Sequence, residues 1–220
     1  FSFFTTYAEI DGWYPSKSNT PLESVYDYIN QRNKKPEAFD TNLLKENFTE
    51  LDRWILSDTE QLKERVTTYL ENWRVEYASQ AIERYVDRLS NWYVRRSRRR
   101  FWKSENDNDK HSAYSTLYYC LTSLSRIIAP FAPFIAEHMY QALVRDLIDE
   151  AQDSVHLTDW PTVNEDMIDK DLSRTTQLAI KLASLGRSAR AQSNIRVRQP
   201  LENLLVEVKH EWEVEALPII

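Results

Sequence analysis

Arginines and aromatic residues are concentrated in one short block of the sequence. Residues 91–102 read NWYVRRSRRRFW, and the stretch from Arg84 to Lys103 holds eight basic residues against one acid, Asp87. The whole chain carries a net charge of −6, so this basic block lies in an otherwise acidic protein. Guanidinium groups bind phosphate at two points and stack on the faces of bases. A compact basic element in an acidic background is typical of a polyanion-binding site.

A helical wheel divides the basic block into two groups. Apolar residues at helical spacing predict a helix over residues 75–102, and a step of about 100° per residue aligns one polar stripe along its outer side. The stripe combines guanidinium groups with an amide for a base edge and an indole for stacking an unpaired base. Its members are Arg84, Arg88, Asn91, Arg95, Arg98 and Trp102. We predict that this stripe binds RNA.

The remaining arginines of the block are predicted to hold this helix in place. Arg96 and Arg100 continue the apolar face of the wheel, and Arg99 lies at its edge. Arginine in such positions pairs with acids of neighbouring helices or complements the dipole at a helix C-terminus. The candidate acidic partners are Glu60, Glu64 and Glu137.

A second basic segment follows near the C-terminus. Residues 187–198 contain no acid, and their basic members are Arg187, Arg190, Arg196 and Arg198. These side chains either contact an extended RNA backbone or solvate the join between a helix and the segment after it. The sequence leaves both interpretations open.

Residue types that carry catalysis or bind metal are sparse. The two glycines, Gly12 and Gly186, cannot build a glycine-rich phosphate loop, and the four histidines are scattered without a second ligand at metal spacing. Cys120 is the single cysteine, which excludes an intrachain disulfide and indicates the cytoplasm. No apolar run approaches the roughly 18 residues that a membrane span needs. We therefore predict that this chain has no catalytic residue, no metal site and no cofactor of its own.

Hydrophobic periodicity predicts an all-α fold. Amphipathic helices are expected from residue 49 onwards and over 75–102, 110–128, 133–149 and 165–192, and their short connections indicate an antiparallel bundle. Turn signals identify residues 1–45 as a connector, residues 46–162 as the bundle, and residues 163–220 as a linking helix and the start of a further domain. The alternation in NIRVRQPLENLLVEV predicts a short β segment near the C-terminus.

Six segments carry a resemblance to a known family. They are SFFTTYAEIDGW, LDRWILS at 51–57, LSNWYVRRSRRRFW at 89–102, IIAPFAPFIAEHMY, SVHLTDWP and GRSARAQSNIRVRQPL. In this order they resemble the anticodon-binding region of class I aminoacyl-tRNA synthetases. The arginine-rich segment looks like the isoleucyl family and much less like its valyl and leucyl sisters. Together the segments span nearly the whole chain.

The resemblance implies a role for the intact protein and a narrower one for this chain. It implies a ligase that joins isoleucine to its tRNA with ATP and magnesium, with zinc bound in a C-terminal region. This chain would hold the anticodon stem-loop of the isoleucine tRNA. The family's ATP motifs, editing domain and zinc-binding region do not occur in the sequence, so we expect the chain by itself to lack the catalytic site. We also expect a monomer that binds neither DNA nor a membrane.

Two alternatives remain open. The same module could belong to a valyl or leucyl synthetase, because several of the six segments are shared across these sisters. The bundle could instead be a protein-interaction module in which the arginines from Arg84 to Arg98 dock an acidic partner. Binding to a panel of tRNAs separates these alternatives, since a protein-interaction module would show no preference for tRNA over other polyanions.

Overall fold

The computed structural model describes residues 1–13, 48–102, 108–148, 151–203 and 205–216. Helices make up most of these ranges and no β-strand occurs within them, which confirms the predicted all-α class. The chain forms two compact units, Phe1–Asp169 and Lys170–Ile220. Residues 14–45 of the predicted connector lie outside the described residues.

The first unit is a helical bundle. Its helices are α1 (Ser2–Asp11), α2 (Glu50–Glu71), α3 (Val75–Asp87), α4 (Arg95–Trp102), α5 (Asn108–Ile128) and α6 (Pro133–Tyr140). A π-helical segment, Arg88–Val94, joins α3 to α4 without a break, and a second one, Gln141–Arg145, extends α6. Two short 3-10 turns follow at Val155–Leu157 and Glu165–Met167. Helix α2 packs against α3 and α5, and α5 also packs against α4 and α6.

Local sequence signals set the ends of these helices. Thr49 caps α2 by accepting a hydrogen bond from the backbone N–H of Asp52, while the Asp52 carboxylate accepts one from the backbone N–H of Thr49. This reciprocal capping box begins α2 at the place where the sequence predicts the helix to start. Pro133 occupies the first turn of α6, where its missing N–H costs nothing.

The core between α2, α3 and α5 contains many aromatic rings and a layer of polar side chains. Trp54, Tyr85 and Tyr119 are fully buried. The hydroxyl oxygens of Tyr85 and Thr59 are 2.7 Å apart, and that of Tyr119 donates to the carboxylate of Glu60. Buried hydroxyls need such partners because water cannot reach them. The polar layer therefore fixes how α2 faces α3 and α5.

The helix that carries the basic block contains a wide turn. In this segment the hydrogen bonding changes to i→i−5, and the N–H of Arg95 bonds to the carbonyl of Ser90. An extra residue in the turn rotates every later side chain by about 100° relative to an unbroken α-helical wheel. The buried positions consequently recur at every fourth residue, at Tyr85, Leu89, Tyr93, Ser97 and Phe101.

The second unit contains a long helix, α7 (Lys170–Gln192), and a short one, α8 (Glu211–Ala216). The guanidinium carbon of Arg174 lies 3.7 Å from the ring centre of Trp212, which joins the two helices. The predicted β segment is not formed among residues 193–203 and 205–210, which adopt turns, bends and irregular backbone. An extended segment becomes a strand only where another strand lies beside it to receive its hydrogen bonds, and the described part of this unit provides none.

Candidate nucleic-acid interface

Two arginines of the basic block form ion pairs with buried acids of α2. Arg100 donates from Nη1 and Nη2 to the two carboxylate oxygens of Asp52 at 2.7 and 2.8 Å. Arg88 donates from Nε and Nη2 to the carboxylate of Asp58 at 2.8 and 2.9 Å. Both aspartates are buried, so each guanidinium group compensates a charge that water cannot reach. These two pairs fix the rotation of α3 and α4 on α2.

The structural role predicted for Arg100 is confirmed, with different partners. Its guanidinium group also donates from Nε to Asp109 at 2.8 Å, so Asp52 and Asp109 replace the glutamates that sequence suggested. Burial by itself would lower the pKa of Arg100, but the hydrogen bonds and charge of Asp52 outweigh it and raise the pKa above its ordinary value. Arg100 therefore remains charged under all ordinary conditions.

The structure corrects the position of Arg88. The sequence prediction places it on the outer stripe, yet its side chain is only 18% exposed and two of its donor nitrogens, Nε and Nη2, bind Asp58. Arg88 directly precedes the buried Leu89 and lies three residues after the buried Tyr85, at the margin of the core face. Its long side chain reaches from that margin to the acid on α2.

An exposed surface of positive charge covers the outer side of α4. Its members, which we call the basic face, are Arg95, Arg98, Arg99 and Trp102. Within the described residues the three guanidinium groups make no ion pair or hydrogen bond, and the indole is 56% exposed. Like charges this close repel one another in the absence of a counter-charge. The basic face therefore has the composition of a surface that gains from binding a polyanion.

The wide turn explains which arginines belong to the basic face. On an unbroken wheel Arg96 and Arg99 lie on or beside the core side, but in the structure both are exposed. The rotation after Val94 brings Ser97 and Phe101 into the core instead and carries Arg99 outwards. Arg96 lies at the flank, with its guanidinium carbon 3.7 Å from the ring centre of Trp92.

The other two members of the predicted stripe are exposed but separate from the basic face. Arg84 lies on α3 in a neighbourhood that includes the exposed acids Glu83 and Asp87. The amide of Asn91 donates to the Asp87 carboxylate at 2.6 Å. The single stripe predicted from sequence is therefore divided, and only its part on α4 forms an uninterrupted basic surface.

The arginines of the second unit differ from one another in their contacts. Arg190 is half-buried, and its Nη1 donates to the backbone carbonyls of Arg196 and Gln199 at 3.0 and 2.7 Å. It thus closes the turn that follows α7. Arg187 donates to the carbonyl of Ala183 in its own helix at 3.2 Å, and Arg196 and Arg198 are exposed. For Arg190 these contacts favour the interpretation in which the segment stabilises the join after α7.

Two parts of this arrangement were not predicted from the sequence. The acids Asp52 and Asp58 share a face of α2 with the buried Ile55 and Leu62, and an acid on the apolar face of an amphipathic helix is a signal that a cationic partner is buried against it. The second part is the contact of α1 with the end of α4, where the rings of Phe3 and Phe101 meet edge-to-face at 5.3 Å. No spacing along the chain indicates that contact.

The bundle also buries an ion pair in its core. Lys63 and Glu60 form an ion pair at 2.7 Å with side chains 1% and 0% exposed, and Lys63 also donates to the hydroxyl of Tyr119 at 2.8 Å. Such a pair is inaccessible to a substrate. Within the described ranges, no group of three or more His, Cys, Asp or Glu is arranged to hold a metal ion, and no helix is long and apolar enough to cross a membrane.

The comparison with known families agrees with this fold, a helical bundle whose outer helix is basic and ends in an aromatic residue. The model of the anticodon-binding domain of tRNA ligases matches residues 52–205. The match covers both the buried acids of α2 and the basic face. The chain belongs to this family of anticodon-binding domains.

Comparison with individual relatives gives a more specific likeness than the family model does. The chain is 46% identical over 206 residues to an isoleucine–tRNA ligase of Dehalococcoides mccartyi, 41% over 209 residues to that of Clostridium tetani, and 38% over 218 residues to that of Thermus thermophilus. These alignments cover 94%, 95% and 99% of this chain but only 18%, 18% and 19% of the relatives. The chain therefore spans less than a fifth of the length of the proteins it matches.

Proposed function

We propose that this chain binds the anticodon arm of an isoleucine tRNA through its basic face, as part of an isoleucine–tRNA ligase. The observation that carries the proposal is the contrast between neighbouring arginines of one helix. Arg88 and Arg100 are neutralised by buried aspartates, whereas Arg95, Arg98 and Arg99 have no acidic partner in the described part of the chain. Unpaired guanidinium groups beside an exposed indole suit a phosphate backbone next to an unpaired base.

The two sets of arginines have different tasks in this proposal. The buried pairs hold the helix in one rotational setting on α2, so that the basic face always points outwards. Arg95, Arg98 and Arg99 contact phosphates, and Trp102 stacks on a base at the end of the helix. Arg84, Asn91, Arg187, Arg196 and Arg198 are exposed and supply additional contacts along the RNA.

The whole-protein part of the proposal is supported by the names of the relatives. They favour isoleucine over valine or leucine as the amino acid of the intact ligase. In that enzyme the ATP, magnesium and zinc belong to other parts of the polypeptide. We further propose that the protein works in the cytoplasm as a monomer.

The salt dependence of tRNA binding tests the basic face. Each neutralised phosphate releases counterions, so the logarithm of the association constant falls linearly with the logarithm of salt concentration. The double substitution Arg95→Ala and Arg98→Ala should reduce that slope by about two units. Arg74→Ala is a matched control, since Arg74 is exposed at the other end of the same helical run. An unchanged slope in the double variant would reject the basic face as a phosphate-binding surface.

Exchange of the anticodon tests whether the chain makes base-specific contacts or only binds the phosphate backbone of the tRNA. We expect wild-type chain to bind isoleucine tRNA more tightly than the same tRNA with its anticodon replaced, because only base contacts carry sequence information. Equal affinity for the two tRNAs would restrict the proposal to backbone contacts. Equal affinity for tRNA and for heparin, a sulfated polyanion, would instead support the protein-interaction alternative.

A further inference from the structure

The exposed tryptophan of the basic face has a neighbour from a distant part of the sequence. The ring of Tyr7, in α1, lies 6.5 Å from the ring of Trp102 between centroids, with an angle of 43° between the planes. Tyr7 also contacts Phe3 one turn earlier at 4.8 Å, and Phe3 meets Phe101 edge-to-face. Two rings of α1 thus face the two last residues of α4.

Helix α1 is itself held firmly on the bundle. The Asp11 carboxylate at its C-terminal end pairs with Lys110 Nζ at 2.7 Å and accepts a hydrogen bond from the hydroxyl of Tyr114. Gly12 ends the helix in the left-handed region at φ 62°, and the following Trp13 stacks on Tyr114 at 5.3 Å. All of these partners lie on α5, so α1 is a fixed part of the scaffold and not a loosely attached end.

We infer that Tyr7 is a positioning residue for Trp102 in RNA binding, an inference that rests on the proposed function of the basic face. Trp102 is 56% exposed at the last residue of α4, and an exposed indole loses rotamer freedom when a base stacks on it. The half-buried Tyr7 lies against the indole at this tilted angle, and more than half of the Trp102 surface stays exposed to a ligand. A base can then stack on a ring that is already oriented, which lowers the entropy lost on binding.

The chemistry of the contact identifies what the tyrosine contributes. No hydrogen bond involves the Tyr7 hydroxyl within the described residues, so its contribution is the flat ring and not the polar group. Phenylalanine should therefore replace it, whereas leucine should fill the space without providing an aromatic edge. The ligand that benefits is an unpaired nucleobase, since only a base with an accessible face stacks on the oriented indole.

Affinity measurements on the 220-residue chain test the assignment. Trp102→Ala should weaken binding of isoleucine tRNA about 5- to 150-fold, the range expected for loss of one base stack. Tyr7→Ala and Tyr7→Leu should weaken it about 3- to 10-fold, because the indole remains but must be ordered on binding. Tyr7→Phe should stay within about twofold of wild type. The slope of affinity against salt should not change in any Tyr7 variant, because no phosphate contact is removed.

A double-mutant cycle separates positioning from a general loss of structure. If Tyr7 acts through Trp102, Tyr7→Ala should have no further effect on affinity in a chain that already carries Trp102→Ala. Tyr69→Ala is the matched control, since Tyr69 is also half-buried, contacts the ring of Tyr77 and lies at the other end of the bundle. With 5-fluorotryptophan incorporated, the fluorine resonance of Trp102 should shift in Tyr7→Leu and stay in place in Tyr69→Ala.

The outcomes also distinguish this inference from the proposed function. If Tyr7→Leu binds tRNA as wild type does while Trp102→Ala binds weakly, positioning by Tyr7 is wrong and the basic face stands. If the loss caused by Tyr7→Leu persists in the Trp102→Ala background, Tyr7 does not act through Trp102. If neither Trp102→Ala nor the Arg95 and Arg98 double variant changes binding, the proposed function itself fails.

Discussion

The carboxylate of Asp58 accepts hydrogen bonds from two arginines. Arg88 donates from Nε and Nη2 at 2.8 and 2.9 Å, and Arg65 donates from Nη2 at 3.4 Å. Asp58 is only 2% exposed, and it would be an uncompensated buried charge without these partners. This pairing indicates that Arg88 stabilises the bundle, although it lies within the basic block of the sequence.

Substitution of Arg88 should therefore affect folding and leave the salt dependence of tRNA binding unchanged. Arg88→Ala should lower the free energy of unfolding by about 2–3 kcal/mol, somewhat less than for a fully orphaned buried charge because Arg65 remains. Urea unfolding followed by circular dichroism measures this change. Arg84→Ala, one turn earlier and without a partner in the described residues, should cost less than about 0.5 kcal/mol. Equal stability of the two variants would contradict the assignment.

Neighbouring arginines at the end of α4 should show opposite phenotypes. Arg100→Ala should destabilise the chain by about 3–5 kcal/mol, because the buried carboxylate of Asp52 then loses its cationic partner and keeps neutral donors, the hydroxyls of Tyr93 and Thr49. Arg99→Ala should leave the unfolding midpoint nearly unchanged and lower the salt slope of tRNA binding by about one unit. If Arg99→Ala were less stable than Arg100→Ala, the position assigned to the wide turn in this helix would be wrong.

The single cysteine should report on the opening of the bundle. Cys120 is fully buried beside Thr59, and burial raises the pKa of its thiol to about 12. Alkylation requires the thiolate, so native chain at pH 8 should react with iodoacetamide about 1000-fold more slowly than chain in urea. Fast labelling of native protein would mean that α2, α3 and α5 separate readily.

Glu137 should make stability depend on pH in the acidic range. Burial would raise the pKa of this carboxyl, but hydrogen bonds from the Ser154 hydroxyl, the Gln141 amide and the Val155 backbone N–H outweigh it and hold the pKa below its ordinary value of 4.5. A lowered pKa in the folded state stabilises the protein above pH 4.5 and loses this contribution as pH falls through the folded value.

Glu137→Gln isolates that contribution. The variant should be less stable than wild type at pH 7, and the difference in free energy of unfolding should shrink as pH falls below 4.5. Urea titrations at several pH values measure the difference. A difference that is constant across this range would show that the hydrogen bonds do not depend on the charge of Glu137. Glu165→Gln provides a control, since Glu165 is an exposed acid of a 3-10 turn.

Sequence patterns predicted the helices well because the required signals are local. The capping box at Thr49, the proline at the start of α6 and the apolar spacing of α2 and α5 each act within a turn or two. The wide turn was not predictable in this way. It depends on where Asp52 and Asp58 lie on another helix, since the two buried ion pairs require Arg88 and Arg100 to lie along one side of the same helical run.

The candidate site was predicted in part for the same reason. An even wheel of 100° per residue correctly places Arg95, Arg98 and Trp102 outwards. It assigns Arg88, Arg96 and Arg99 to the wrong sides. The error for Arg99 arises from the rotation after the wide turn, whereas Arg88 lies at the margin of the core face and reaches Asp58 with its long side chain. The contribution of Tyr7 depends on a contact between residues far apart in the chain, and single-sequence reasoning has no means of detecting it.

The extra residue in the wide turn also affects how this helix is compared between proteins. A relative in which the same helix is regular would need a gap of one position near Ser90 for its buried residues to match Tyr93, Ser97 and Phe101. An ungapped alignment would instead equate the arginines of one protein's surface with side chains of the other protein's interior. Transfer of anticodon-contacting positions between such proteins is therefore sound only when the two helices are matched by burial rather than by residue count.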